Sequence, residues 1–200
     1  MIITAINPAR KQLSSVYIDG EYAMKLDTQV LEEKCIGVGT QLDDNELHEL
    51  IKLSDYKRAK EKALWLLSGR DYSSGQLAQK LYKEAGSETV SEVIGRMEEL
   101  GLVNDESYAR RLAHDLLYIK RMSVRGAMYK LIEKGIDKET AQSVLDEFEI
   151  DPVEQLTELI GRKYADKLED EKDRRRTVAA LQRLGYSWPD IKAALMEFEE

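Results

Sequence analysis

The sequence predicts a mainly α protein: tandem three-helix, helix-turn-helix-like repeats forming an elongated array, preceded by a small N-terminal β-hairpin region. Three observations carry that expectation. A segment is written twice: LIEKGIDKETAQSVLDEF at 131–148 returns fifty residues on as LQRLGYSWPDIKAALMEF at 181–198. Leucine stands over leucine at 131/181 and 145/195, glycine over glycine at 135/185, and phenylalanine over phenylalanine at 148/198. From Asp43 onward the apolar period is helical and is cut at intervals by glycine. Near the start, Asp19-Gly20 separates two alternating runs, the chemistry of a two-residue hairpin whose turn positions both want positive φ.

MIITAI reads as a first strand, ended by Asn7-Pro8. In SVYIDGEYAMKL, Val16 and Ile18 fall on one face and Tyr22, Met24 and Leu26 on another. Thr28 can cap a short helix, TQVLEEKC. GVGTQL reads as a turn, because no Gly-Lys-Ser/Thr follows to make it a phosphate loop. Later helices have legible starts: Asp44 before ELHELIKL, Ser73 three before Gln76, Asp151-Pro152-Val153-Glu154, and Ser187 three before Asp190. Gly69, Gly86, Gly101, Gly135 and Gly185 stand where a left-handed residue would end a helix.

These helices group in threes. The first group is RAKEKALWLL, QLAQKLYKEAG and VSEVIGRMEEL, the last with Val90, Val93, Ile94 and Met97 as its apolar stripe. The second is YARRLAHDLL, then a helix from Ser123 with Ala127, Met128, Leu131 and Ile132 on one stripe. A helix capped by Asp137 completes it, with Ala141, Val144, Leu145 and Phe148 facing in. The third runs Val153 to Leu168, Lys172 to Leu184 and Ser187 to Phe198. The expected division is 1–53 for the β-hairpin and short helices, then repeats at 54–103, 104–150 and 151–200. In the doubled segment the glycine ends one helix, Ile136 or Tyr186 plugs the corner, and a capping residue starts the next helix.

The 200 residues are 42% hydrophobic and 34% charged, with three prolines, a mix that suits a helical core. Cys35 is the only cysteine, so no internal disulfide and no cysteine zinc cluster is expected. The N-terminus lacks a signal-peptide run, and nowhere do about 18 apolar residues follow one another. A cytoplasmic protein without a membrane partner is expected. His48 and His114 are far apart, and His114 and Asp115 are helical neighbours that do not face each other. Neither Gly-x-Ser-x-Gly nor His-Glu-x-x-His occurs, so no catalytic residue, metal site or cofactor is expected.

A net charge of −8 argues against a general DNA-coating protein but leaves room for a local basic face. From Ser107 to Lys134, seven basic residues stand against Asp115 and Glu133, a surplus of five that leaves −13 for the rest of the chain. Such a concentration of one sign repels itself, so a partner of opposite sign is expected. The candidate partner-binding residues are Arg110, Arg111, Lys120, Arg121, Arg125 and Lys130; a solvated helical face is the competing reading. Arg174, Arg175, Arg176 and Arg183 follow EDEKD, and mixed signs there favour local ion pairs.

Four stretches taken in order are more specific than any one alone. They are ALWLLSGRDYSSGQLAQKLYKEAG, with Leu64, Leu67, Arg70, Ser73, Leu77 and Leu81; LGLVNDESYARRL, with Gly101, Leu102, Asp105, Tyr108 and Ala109; RGAMYKLIEKGID, with Gly126, Leu131, Lys134, Gly135 and Ile136; and ALQRLGYSWPDIKAAL. Over about residues 55–200 the chain resembles the RecX family, regulatory proteins of the RecA recombinase. Its acidic end, MEFEE, adds nothing to a nucleic-acid reading. The resemblance implies tandem three-helix repeats that bind active RecA filaments and modulate, usually inhibit, their ATPase and strand exchange. It implies a role in recombination, DNA repair and the SOS response, with no catalytic residue and no cofactor. Some members also touch DNA, single- or double-stranded. A monomer is expected, its repeats giving several weak contacts that favour a polymer over free subunits. The alternative is a helix-turn-helix nucleic-acid-binding protein. That needs Arg, Asn or Gln at the start of a recognition helix, whereas the third helices here begin DKETAQ and SWPDIK.

Overall fold

The structure, a computed structural model, describes residues 1–198. Three strands come first: β1 (Ile3–Pro8), β2 (Leu13–Ile18) and β3 (Glu21–Asp27). Among the described residues ten α-helices follow: α1 (Thr28–Glu33), α2 (Asp44–Gly69), α3 (Ser74–Leu81), α4 (Ser87–Glu99), α5 (Asp105–His114), α6 (Val124–Glu133), α7 (Lys138–Leu145), α8 (Pro152–Lys163), α9 (Glu171–Arg183) and α10 (Trp188–Met196). The fold class is the expected one, mainly helical with a small N-terminal sheet. The chain divides into two compact units, Met1–Tyr72 with Gln76–Val103, and Ser73–Gly75 with Asn104–Glu200.

In the first unit the sheet is antiparallel in the order β1-β2-β3. Asp19 and Gly20 hold φ of 50° and 91°, as the hairpin turn requires. The register shifts between Val16 and Tyr17, and Val16 pairs with Met24. Val16, Ile18, Met24 and Leu26 therefore share one core with Ile3, Val30, Leu31 and Leu50, not two faces. Tyr22 is left out, 56% exposed, edge-on to Tyr17 at 5.8 Å.

Two caps lie one residue before their expected places. Asp27, not Thr28, caps α1 by accepting the N–H groups of Gln29 and Val30. Asp43, not Asp44, starts α2 through a reciprocal box with Glu46. Helix α2 then runs 26 residues without a break, through positions 53 and 54. Its buried Ala59 and Ala63 join Leu77 and Leu81 of α3 and Val90, Val93 and Met97 of α4 in a second core. Gly101 takes the left-handed conformation expected of it. Gly86 does not: at φ −69° it caps the start of α4, and Gly69 ends α2 at an extended Arg70.

The second unit has two cores. One joins α5, α6 and α7 through Ala109, Ala113, Leu117, Leu131, Val144 and Leu145. The other joins α8, α9 and α10 through Leu156, Ile160, Leu181, Ile191 and Leu195. Leu184 packs against both. Ile136 and Tyr186 are buried at their corners, but Ile132 is 43% exposed, so the stripe of α6 is narrower than its spacing suggests. Side chains cap these helices at Asn104, Ser123, Asp137, Asp151, Asp170 and Ser187.

The corner glycine does more than end a helix. Gly185 has φ 95°, and a Cβ there would lie 2.6 Å from both Gly126 Cα and Ser123 Oγ. A Cβ on Gly126 would strike the Leu184 carbonyl oxygen. That carbonyl accepts the Ser123 N–H at 3.1 Å. Ser73–Gly75 meet the Lys134–Gly135 corner in the same manner: the Ser73 hydroxyl donates to the Lys134 carbonyl, and a Cβ on Gly75 would lie 2.5 Å from the Gly135 oxygen.

After α5 the chain widens into one π turn, Asp115–Ile119. Lys120 N–H donates to Asp115, and Met122 N–H donates to the carbonyl of Leu116. The Leu117 carbonyl is taken by a side chain from α8.

Leu131 is fully buried, so Leu131→Ala is expected to cost about 2–5 kcal/mol in urea melts. A loss under ~1 kcal/mol would show that α6 does not pack as described. Gly101→Ala meets open space and bears only the left-handed penalty of about 1–2 kcal/mol. Gly185→Ala bears that penalty and the clash as well, so it should lower the melting temperature clearly further. Equal losses would refute the close approach.

Candidate partner-binding surface

All six candidate residues lie in the second unit, but their charges are not equally available. Arg110, on α5, donates from Nε and Nη2 to the two carboxylate oxygens of Glu147, at 2.7 and 2.8 Å. Its Nη2 also donates to Glu106 at 2.6 Å. These bonds push the guanidinium pKa upward and hold the Glu147 carboxyl below the usual carboxylate range. Lys130 donates to Glu133 at 2.6 Å and lowers its pKa in the same manner. Arg121 meets Glu158 at 3.0 Å. Arg111, the next residue around α5, has interactions of its own.

Lys120 and Arg125 differ. Both are exposed, and neither has a salt bridge among the described residues. Lys120 closes the π turn, and Arg125 stands in the first turn of α6. Arg125 Nε donates to the Gly185 carbonyl at 3.1 Å, which aims its side chain along the corner. Arg110 and Arg121 are thus matched by acids from outside the stretch and Lys130 by one within it, while of the six candidates Lys120 and Arg125 have no ion pair among the described residues.

Arg121 is fixed from behind by a network that sequence reading missed. Its backbone is left-handed, φ 51°. Its carbonyl lies 3.0 Å from the Tyr186 hydroxyl, which also lies 2.5 Å from Gln155 Oε1. With one proton the hydroxyl donates to one of these acceptors at a time. Gln155 Nε2 in turn donates to the Leu117 carbonyl at 2.7 Å. Gln155 and Tyr186 are buried, and burial raises the phenol pKa above its ordinary value. The one sequence signal was a glutamine beside Leu156 in the apolar stripe of α8. In front of the network lies a cleft of about 170 Å³, lined by Arg121, Glu149, Asp151, Glu154 and Glu158 among others.

His114 and Asp115 come closer than their helical spacing suggests, Nδ1 to Oδ1 3.9 Å, where the helix widens into the π turn. Both are exposed, and the imidazole stacks on Tyr118, which stacks on Phe148. Arg175 and Arg176 pair with Glu171 and Asp173 at 2.9 Å, as the mixed signs suggested. Among the described residues no group of three or more His, Cys, Asp or Glu could hold a metal ion. No described helix is long and apolar enough to cross a membrane.

The second unit thus combines two three-helix cores, a buried polar network and a few exposed cations. Known proteins resemble the chain as follows. The family described as RecX, first three-helix domain, matches residues 59–97. A regulatory protein RecX of Caldanaerobacter subterraneus subsp. tengcongensis is 29% identical over 197 residues, 98% of each chain. One from Bacillus subtilis is 28% identical over 208 residues, covering 98% of this chain and 77% of the relative. A crystal structure of a regulatory protein RecX aligns with TM-score 0.62 at 20% identity, over 100% of this chain and 99% of that one. That of RecX from Lactobacillus salivarius gives 0.60 at 21% identity, over 72% and 97%; both show the fold. Over nearly its whole length the chain is similar to regulatory proteins RecX, and its first three-helix unit matches that family's own.

Gln155→Ala and Tyr186→Phe should each cost about 1–3 kcal/mol, because each leaves a buried partner unpaired. In a double-mutant cycle the two should couple by ~0.5 kcal/mol or more. Additive losses would show that the network is not a unit.

Proposed function

We propose that this protein binds the RecA recombinase filament and modulates, chiefly by inhibition, its ATPase and strand exchange in recombination and DNA repair. Likeness to regulatory proteins RecX across nearly the whole of both chains carries this reading. The helices group into repeats at 54–103, 104–150 and 151–200, and the monomer acts in the cytoplasm. It is not an enzyme and needs no cofactor. The filament, or the DNA within it, meets the basic face of the middle repeat through Arg110, Arg111, Lys120, Arg121, Arg125 and Lys130. Lys120 and Arg125 lead, since their charges are not already held by carboxylates. Against the helix-turn-helix alternative stand Asp137 and Glu139 at the start of α7 and Asp190 at the start of α10, where a phosphate backbone would be repelled.

The test is RecA-dependent ATP hydrolysis with folded charge-reversal variants. Lys120→Glu and Arg125→Glu should raise the half-inhibitory concentration by about fivefold, the equivalent of ~1 kcal/mol for an exposed charge contact. Arg110→Glu and Lys130→Glu should raise it less. If all four variants inhibit as the parent does, the patch is a solvated face. A parent that leaves RecA hydrolysis and strand exchange unchanged would overturn the reading itself.

A further inference from the structure

We propose that the first unit carries a docking groove for one amphipathic α-helix of a partner protein, laid antiparallel along α2. Two clefts of about 210 and 290 Å³ share Lys34 and Leu53. Together they form one trough, with α2 on one side and Val30, Lys34 and Ile36 on the other. Along α2 it runs from Glu46 through Leu50, Leu53 and Tyr56 to Lys60. At about 100° per residue these positions all fall within about 60° of Leu53, so they make one face. With a rise of about 1.5 Å per residue that face is about 21 Å long, the length of about four helical turns.

The floor of the trough is apolar. Val30, Leu42 and Leu50 are buried beneath it, while Ile36, Leu53 and Tyr56 line it half-buried. Apolar stripes of this kind receive helices whose anchors recur at i, i+3 or i+4, and i+7. An extended peptide finds no strand edge along α2, whose amides are bonded within the helix.

Charge names the occupant and its direction. Glu46, exposed at one end, has no salt bridge among the described residues; its carboxylate accepts only the Asp43 N–H, at 2.9 Å. Lys60, at the other end, has none either, and its ammonium rests 5.9 Å from the Tyr56 ring centroid. The charges between them are already matched, Lys34 by Glu49 at 3.3 Å and Lys57 by Asp27 and Glu33 at 3.3 and 3.8 Å. The trough therefore asks for one acid over Lys60 and one base over Glu46. A helix carries acids best in its first turn and bases in its last. The partner helix thus starts over Lys60 and ends over Glu46, against the direction of α2. The Lys34–Glu49 pair is exposed and contributes little, so a docking helix can part or cover it. A polyanion would meet Glu46 and Glu49 and be repelled. A small apolar molecule would leave both end charges unused.

The trough is independent of the RecA reading and is tested without RecA, on the full-length protein. The probe is a fluorescein-labelled, hydrocarbon-stapled helix of about four turns, with leucines on one stripe, Glu in its first turn and Lys in its last. Its anisotropy should rise saturably, with a dissociation constant below ~100 μM. A scrambled peptide of the same composition should bind at least about tenfold more weakly, and Leu53→Asp should weaken the probe by about tenfold. Lys60→Glu should weaken it by about fivefold, and a probe with Lys in place of the first-turn Glu should recover that loss on the same variant. Glu46→Gln keeps the cap of α2, since Gln serves in the box as well, and should weaken the probe by about twofold. A nitroxide at the N-terminus of the probe should broaden the amide signals of Lys57 and Lys60 and spare Glu46. Thermal melts establish that the variants fold; if Leu53→Asp does not, the Lys60 charge exchange decides. Absence of saturable binding, equal binding of the scrambled peptide, parental affinity in the Leu53 and Lys60 variants, or broadening at Glu46 instead would each overturn the proposal. So would a dimer of the protein alone that Leu53→Asp dissolves, since the occupant would then be a second copy of this chain.

Discussion

The second unit depends on one close approach of backbone to backbone. The Leu184–Gly185 corner lies so near Ser123 and Gly126 that neither glycine has room for a methyl group. The Ser123 N–H closes on the Leu184 carbonyl, and the Ser123 hydroxyl, which also donates to that carbonyl at 3.4 Å, caps α6 by accepting from Gly126. The left-handed turn at Gly185 drives Tyr186 into the core, where its hydroxyl reaches Gln155 and the Arg121 carbonyl. A doubled segment thus encodes more than a doubled helix pair. Gly185 is also the place where the start of α6 is received.

The same corner governs which charges face outward. Arg125 is aimed by the Gly185 carbonyl, and Arg121 is placed by the bond that its own carbonyl shares with Tyr186. Exposed ion pairs such as Arg110 with Glu147 contribute little to stability, but they set which cations of the basic stretch stay unpaired. A count along the chain cannot see this, because Glu147 and Glu158 lie outside the basic stretch and reach it only through the fold.

Local chemistry was legible wherever one residue type has one physical reason to be there. Asp19-Gly20 made its turn, and Gly101, Gly135 and Gly185 took positive φ. Errors arose where neighbours compete for one role. Asp27 beside Thr28 and Asp43 beside Asp44 could each cap, and the residue with extended backbone did so. Helix α2 was cut in two by the sequence reading, although Ser54 and Asp55 lie in its middle. Ser54 is buried there, its hydroxyl accepting the Asp27 N–H at 2.8 Å. The network of Gln155, Tyr186 and Arg121 was out of reach, since it joins residues 31 and 65 positions apart that nothing local relates. The candidate surface was legible as a stretch of sequence, but not as the subset of its cations that stays unpaired.

Native-state hydrogen exchange at the Ser123 amide tests the corner most directly. If the close approach joins the two cores of the second unit, this amide should open only with global unfolding of that unit. Its opening free energy should then match those of the core amides of Leu131 and Leu181. Exchange of Ser123 through a local opening well below those amides, with both cores still protected, would show that the helices stack without depending on the corner.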